Sequence, residues 1–169
     1  MNGRVVQTAD PAQVVAIARA WLGTPYVHQA SCRGAGCDCL GLIRGVWREL
    51  HGAEPEQPPP YTPDWAERSG EETMLAAAHR HLVPVWLAGQ GSGEPPIAPG
   101  HVLLFRYRPH LPAKHAGIAT SPDTMIHAQE GVGVVEVPLA GWWRRHLAGV
   151  FAFPSPEPIL EPEVARDDS

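Results

Sequence analysis

Two cysteines flank an aspartate in GCDCLGL, residues 36–42, and an apolar repeat at helical spacing follows at once. A thiol at Cys39 would sit in the first turn of that helix, facing unpaired backbone N–H groups and the positive end of the macrodipole. Both favour thiolate over thiol, so the position suits a nucleophile. Asp38, as the N-cap, would turn its carboxylate onto the amides of Leu40 or Gly41, while its charge opposes a second anion beside it. Geometry decides which effect wins. Two other readings of Cys39 remain open at this level: a buried apolar cysteine, or a zinc ligand with Cys32, Cys37 and a histidine. Against the second, C-x-C within one turn does not match the usual cysteine pairs of structural zinc sites.

A nucleophilic thiol needs a base. Of nine histidines, His115 in KHAGIAT and His127 in MIHAQ fall in strand-like segments. If SPD, residues 121–123, turns a hairpin with Gly117 opposite His127, then His115 lies on the same sheet face, one diagonal step away. That face is also expected to receive the Cys39 helix, with Gly41 and Gly45 letting the sheet approach its axis. A slip of one residue would send His127 to the other face.

The elements that must hold these groups follow from local signals. Asp10–Pro11 is an N-cap followed by proline at N1, and Val14, Val15, Ala18, Trp21 and Leu22 recur at helical spacing, so a helix is expected over 11–22. Gly23 and Pro25 stop it. The second helix runs from Asp38, with Cys39, Ile43, Val46, Trp47 and Leu50 on one face, to Gly52. Residues 53–64 are a proline-rich loop, and 65–82 read as a third helix, on which His79 and His81 are solvated. HVLLFRYR, AGIAT, TMIHAQ, GVVEVP and VFAF then read as an antiparallel meander. Helices first and strands afterwards is the α+β pattern, with the helices on one face of a small antiparallel sheet. Residues 1–153 form one domain, and 154–169 have the composition of a disordered or partner-bound tail.

With 169 residues and a net charge of −5, the chain has neither the basic surface that phosphate binding needs nor an apolar run near about 20 residues. No nucleic acid and no membrane are expected as partners, and no metal or cofactor. The N-terminus lacks a basic start and an apolar core, so synthesis in the cytoplasm without a signal peptide is expected. Three cysteines in such a chain are expected to be free thiols.

AWLGTPYVHQ, GCDCLGL, APGHVLLF, KHAGIAT and TMIHAQEGVGVVEV together resemble, in content and order, the NlpC/P60 family of cysteine peptidases over about residues 11–153. The resemblance implies a papain-like core. It also implies Cys39 as nucleophile, His115 as general base and acid, and His127 as the polar residue that orients His115. Tyr26, in GTPY, resembles the family tyrosine near the oxyanion site, with Asp38 beside it. GCDCLGL followed by GVWREL and a terminal WWRR looks closest to the branch encoded by phage-like tail clusters, including gene transfer agents. That likeness implies hydrolysis of peptidoglycan stem peptides at the cell wall, and tail hub or baseplate proteins as partners. A structural tail-tip subunit with the same fold and little activity is the second reading. Leu40 replaces the usual serine and His101 the usual aspartate of the turn before a strand. Cys32 and Cys37 receive no role, and His28 reads as structural. Trp142 and Trp143, next to Arg144 and Arg145, read equally as a glycan platform or as packing or a partner contact. The proline-rich segments at 53–64 and after 154 read as docking arms.

Overall fold

The computed structural model describes residues 6–156, apart from the side chains of residues 66 and 67. The first helix, α1 (Pro11–Arg19), starts as expected, with the Asp10 side chain accepting from the amide of Ala12 at 3.2 Å. It ends three residues early, because the Trp21 amide bonds back to Ala18 in a tighter turn, which places the indole in the core. A two-stranded hairpin, β1 (Ser31–Cys32) and β2 (Gly36–Cys37), occupies the loop before the next helix.

Helix α2 (Cys39–His51) has the expected bounds: the Asp38 side chain caps Gly41, and Gly52 closes the last turn at φ 86°. The expected third helix is two, α3 (Trp65–Ser69) and α4 (Thr73–His81). Gly70 separates them at φ 65°, a left-handed conformation that a continuing helix does not allow.

The remaining elements are β3 (Val83–Leu87), β4 (Val102–Phe105), β5 (His115–Ser121), β6 (Thr124–Gln129), β7 (Gly133–Pro138), α5 (Gly141–Arg145) and β8 (Leu147–Ala152). They form an antiparallel six-stranded sheet in the order β3-β8-β4-β5-β6-β7. The meander therefore holds for β4 to β7 but not for the last strand, which inserts between β3 and β4. All six residues of β8 are buried, and a strand apolar on both faces belongs inside a sheet.

Both sheet faces carry a core. On one, Val102, Leu104, Ala116, Ile118, Ile126 and Phe151 meet Trp21, Leu42, Val46 and Leu50. On the other, Leu103, Phe105, Ala119, Met125 and Val150 are covered by Leu139 and Trp143. The glycines of α2 do not admit the sheet: a Cβ on Gly45 would lie 2.0 Å from Trp21, and one on Gly41 would lie 1.9 Å from the carbonyl oxygen of Ala30. Those positions face α1 and the preceding loop, while Leu42 and Val46 carry the contact with the strands. His101 closes the turn before β4, its Nδ1 accepting the Ala98 amide at 3.1 Å. Ser155 donates to the carbonyl of Gln7 and Thr8 bridges Pro154, whereas the expected tail from residue 157 on lies outside the described residues. No helix among the described residues is long and apolar enough to cross a membrane.

Gly45→Ala gains up to about 1 kcal/mol of helix propensity but forces a methyl into a buried indole. Overpacking of that kind costs about 1–3 kcal/mol, so the variant is expected to unfold at lower denaturant. Adding Trp21→Phe should recover part of the loss.

Candidate active site

Asp38 fixes the start of α2 and thereby the position of Cys39. Its side chain is buried; Oδ1 accepts the Gly41 amide at 2.7 Å, and Oδ2 accepts the Gln29 amide at 2.8 Å and the Tyr61 hydroxyl. Tyr61 belongs to the proline-rich segment, and its carbonyl accepts from the Gln29 side chain and bonds His28 Nε2 at 2.8 Å. That segment is thus tied to the loop before Cys39. Tyr61 was missed in the sequence, where its one available signal is being the single aromatic residue between 53 and 64.

The half-buried Cys39 thiol sits beside β5. Its Sγ donates to the carbonyl of Lys114 at 3.7 Å, and the Ala116 amide bonds the sulfur, so it meets the main chain on both sides of His115. His115 and His127 come together as the register requires: Ile118 opposes Ile126, which one step on sets Gly117 against His127. A Cβ on Gly117 would stand 3.4 Å from that of His127. The two rings are buried, perpendicular, and joined from His115 Nε2 to His127 Nδ1 at 2.9 Å.

One expectation about this face is corrected. His115 pairs with Phe105, and His127 alternates with Ile126 and Ala128, so both imidazoles belong to the face opposite α2. Strand alternation is the reason: Ala116, Ile118, Ile126 and Ala128 point at the helix, and the histidines occupy the intervening positions. The thiol meets the main chain at the start of β5, on both sides of His115.

Burial and the neighbouring Asp38 carboxylate push the Cys39 thiol up to about 12, overriding the backbone N–H groups that favour thiolate. Burial also holds both imidazoles well below their usual value, and for His115 the second imidazole adds to the effect. These shifts favour a neutral thiol and neutral imidazoles over an ion pair. Tyr26 is held protonated by burial and by Cys39 and Asp38.

A cavity of about 940 Å³ opens on the α2 side, lined by Cys39, Leu40, Tyr26, Tyr107 and Lys114 and walled by residues 55–63. The proline-rich segment therefore forms part of the cleft. Cys37 is fully buried; its amide donates to the Pro25 carbonyl and its carbonyl accepts from the Val27 amide, so its main chain holds Tyr26 in place. Cys32 is exposed. No three His, Cys, Asp or Glu side chains gather into a metal-ligand cluster among the described residues. Trp143, read in the sequence as platform or packing, stacks on His115.

Two outcomes follow from these electrostatics. Alkylation of Cys39 by iodoacetamide is expected to be slow at neutral pH and to go on rising with pH beyond 9.0, where an ordinary thiol levels off, because its pKa is raised. In acid the sign is set by the imidazoles. Below 6.5 the unfolded chain takes up protons that the native pair refuses, so stability falls as pH drops. Denaturant midpoints measured across that range should fall less steeply for the His115→Gln/His127→Gln variant.

No family model matches the chain. It is similar to Gamma-DL-glutamyl hydrolase of Bacillus subtilis strain 168, 27% identical over 162 residues, with 90% of this chain and 34% of that protein covered. The chain thus spans about a third of the length of the curated relative it matches. Among solved structures it is similar to the NlpC/p60 domain of the peptidoglycan hydrolase SagA. That match has a TM-score of 0.51 and 22% identity, covering 85% of this chain and 98% of the other. An NlpC/P60 family protein from Bacillus cereus ATCC 10987 matches at TM-score 0.58 and 17% identity, over 88% of this chain and 41% of the other. An NLP/P60 family protein from Staphylococcus aureus Mu50 matches at TM-score 0.57 and 18% identity, over 90% and 45%. The chain has the α+β, papain-like NlpC/P60 fold.

Proposed function

We propose that the protein is a cysteine endopeptidase that hydrolyses peptidoglycan stem peptides. The observation that carries this reading is the Cys39 thiol at a helix start, seated against the main chain on both sides of a histidine that bonds a second histidine. The fold it shares with the domain of a peptidoglycan hydrolase supports the substrate class, and the likeness to a glutamyl hydrolase supports a γ-glutamyl bond.

In the proposed reaction the Cys39 thiol, which meets the main chain at the start of β5 on both sides of His115, passes its proton around that strand end to His115 Nδ1 as sulfur adds to the peptide carbonyl carbon. The amides of Cys39 and Leu40, free of intrahelical carbonyls at the first turn, and the Tyr26 hydroxyl face the oxyanion. Collapse breaks the C–N bond, and the His115 proton leaves with the amine. Water then gives a proton to His115 as it attacks the thioester, and the sulfur departs to recover that proton. His127 holds the His115 ring through Nε2, which leaves Nδ1 for this work.

The finer setting belongs to the same proposal: synthesis in the cytoplasm, assembly onto the tail of a phage-like particle such as a gene transfer agent through hub or baseplate proteins, and local opening of the wall during delivery. A structural tail-tip subunit with little activity is the second reading. It is favoured by the protonated resting thiol and by the tie of Tyr61 to Asp38 beside the cleft.

Digestion of purified diamino-acid-type peptidoglycan, followed by mass spectrometry of the released fragments, separates the two. Stem-peptide fragments are expected from the native chain and from folded Cys37→Ala, and none from Cys39→Ala. His115→Ala should lose far more activity than His127→Ala. Equal losses in both cysteine variants would point to a paired-thiol site. No release by the folded native chain would favour the structural subunit.

A further inference from the structure

The catalytic reading, on which this inference rests, constrains where protons sit. If His115 is to accept at Nδ1, its Nε2 must carry hydrogen and donate to His127 Nδ1 across the 2.9 Å contact. The proton of a neutral His127 is then on Nε2. That atom is buried, and no oxygen or nitrogen of the described residues bonds it. The opposite arrangement, with hydrogen on His127 Nδ1, would place the His115 proton on Nδ1 and abolish the base. Nothing in the histidine pair itself chooses between the two.

The neighbour of both rings is Trp143. Its indole stacks on His115 at 5.4 Å between centroids and 28° between planes, and stands across His127 at 5.2 Å and 77°. It is fixed from behind by Phe105 at 4.9 Å and by Trp142 at 4.9 Å. The short helix that carries it is pinned to the β5–β6 turn. Arg144 donates there to the Pro122 carbonyl and the Asp123 carboxylate, both at 2.9 Å, and to the Leu139 carbonyl at 3.0 Å. An electron-rich π system attracts an N–H and repels a ring-nitrogen lone pair.

We propose that Trp143 is the positioning residue that selects the base-competent tautomer of the His115–His127 pair, its indole favouring hydrogen over a lone pair at His127 Nε2. It also holds the His115 ring flat against one side. Of the WWRR segment, Trp143 then has the positioning task and Arg144 is its anchor.

Long-range proton–nitrogen spectra of protein labelled with 15N-histidine report each tautomer without any substrate, with His115→Gln and His127→Gln variants giving the assignments. The native chain is expected to show Nε2–H on both rings, with the His127 Hε2 shifted upfield by the indole. Trp143→Phe, which keeps a π face, should retain that pattern. Trp143→Leu should show mixed His127 tautomers and a kcat about tenfold lower with KM within about twofold, as misplacement of a catalytic group would give. Nδ1–H on His127 in the native spectrum overturns the inference, whether or not the leucine variant folds. So does a native tautomer pattern in Trp143→Leu. A native chain that shows the expected tautomers but releases no peptide would instead count against the proposed function, leaving the role of Trp143 in the pair intact.

Discussion

A carboxylate removed from water must find its donors inside the protein, and Asp38 is 2% exposed. It finds them in three places: the first turn of α2, the loop at Gln29 and the hydroxyl of Tyr61. Each donor fixes a different segment. The Gly41 amide sets where the helix begins, and therefore where Cys39 stands. The Gln29 amide is presented by a residue at φ 63°, a left-handed conformation uncommon for anything but glycine. Tyr61 brings the proline-rich segment to the wall of the cleft. Without an acceptor at position 38, these three segments have no common anchor.

The same carboxylate opposes the chemistry it positions. A helix start favours thiolate by backbone donors and dipole, but burial and a full negative charge one residue away outweigh it, and the sulfur keeps its proton. Burial also keeps the histidines neutral. Both shifts therefore work against a resting thiolate–imidazolium pair, and in the proposed reaction the charges would separate only as the substrate reacts. Donors that meet a developing oxyanion, already oriented in the fold, are where such a site would recover the cost.

Features set by neighbours in sequence were legible. Asp10–Pro11, Asp38 and Gly52 mark helix ends through their own backbone chemistry, and the expected pairing of Gly117 with His127 holds, although it depends on a register shift between Ala119 and Ser121 that no local signal marks. Which face those histidines occupy was not legible. Both sides of β4 and β5 are apolar, so no polar side marks the face away from the helix. The break at Gly70 was hidden because a lone glycine in a polar helical pattern is only a mild penalty. Tyr61 and Trp143 act through partners far away in sequence, at Asp38 and at the histidines, so no local signal gives Tyr61 a task or points Trp143 at the imidazoles.

The placement of β8 bears on how the chain comes to be made. The last strand of the described residues lies between β3 and β4, and β3 has no other neighbour in the sheet. Until residue 152 has left the ribosome, β4 presents an open edge and the cores on both faces lack Val150 and Phe151. Such a domain cannot finish folding strand by strand as it emerges. A nascent chain that stalls before β8 therefore exposes an unpaired edge on β4 and an incomplete core on both faces.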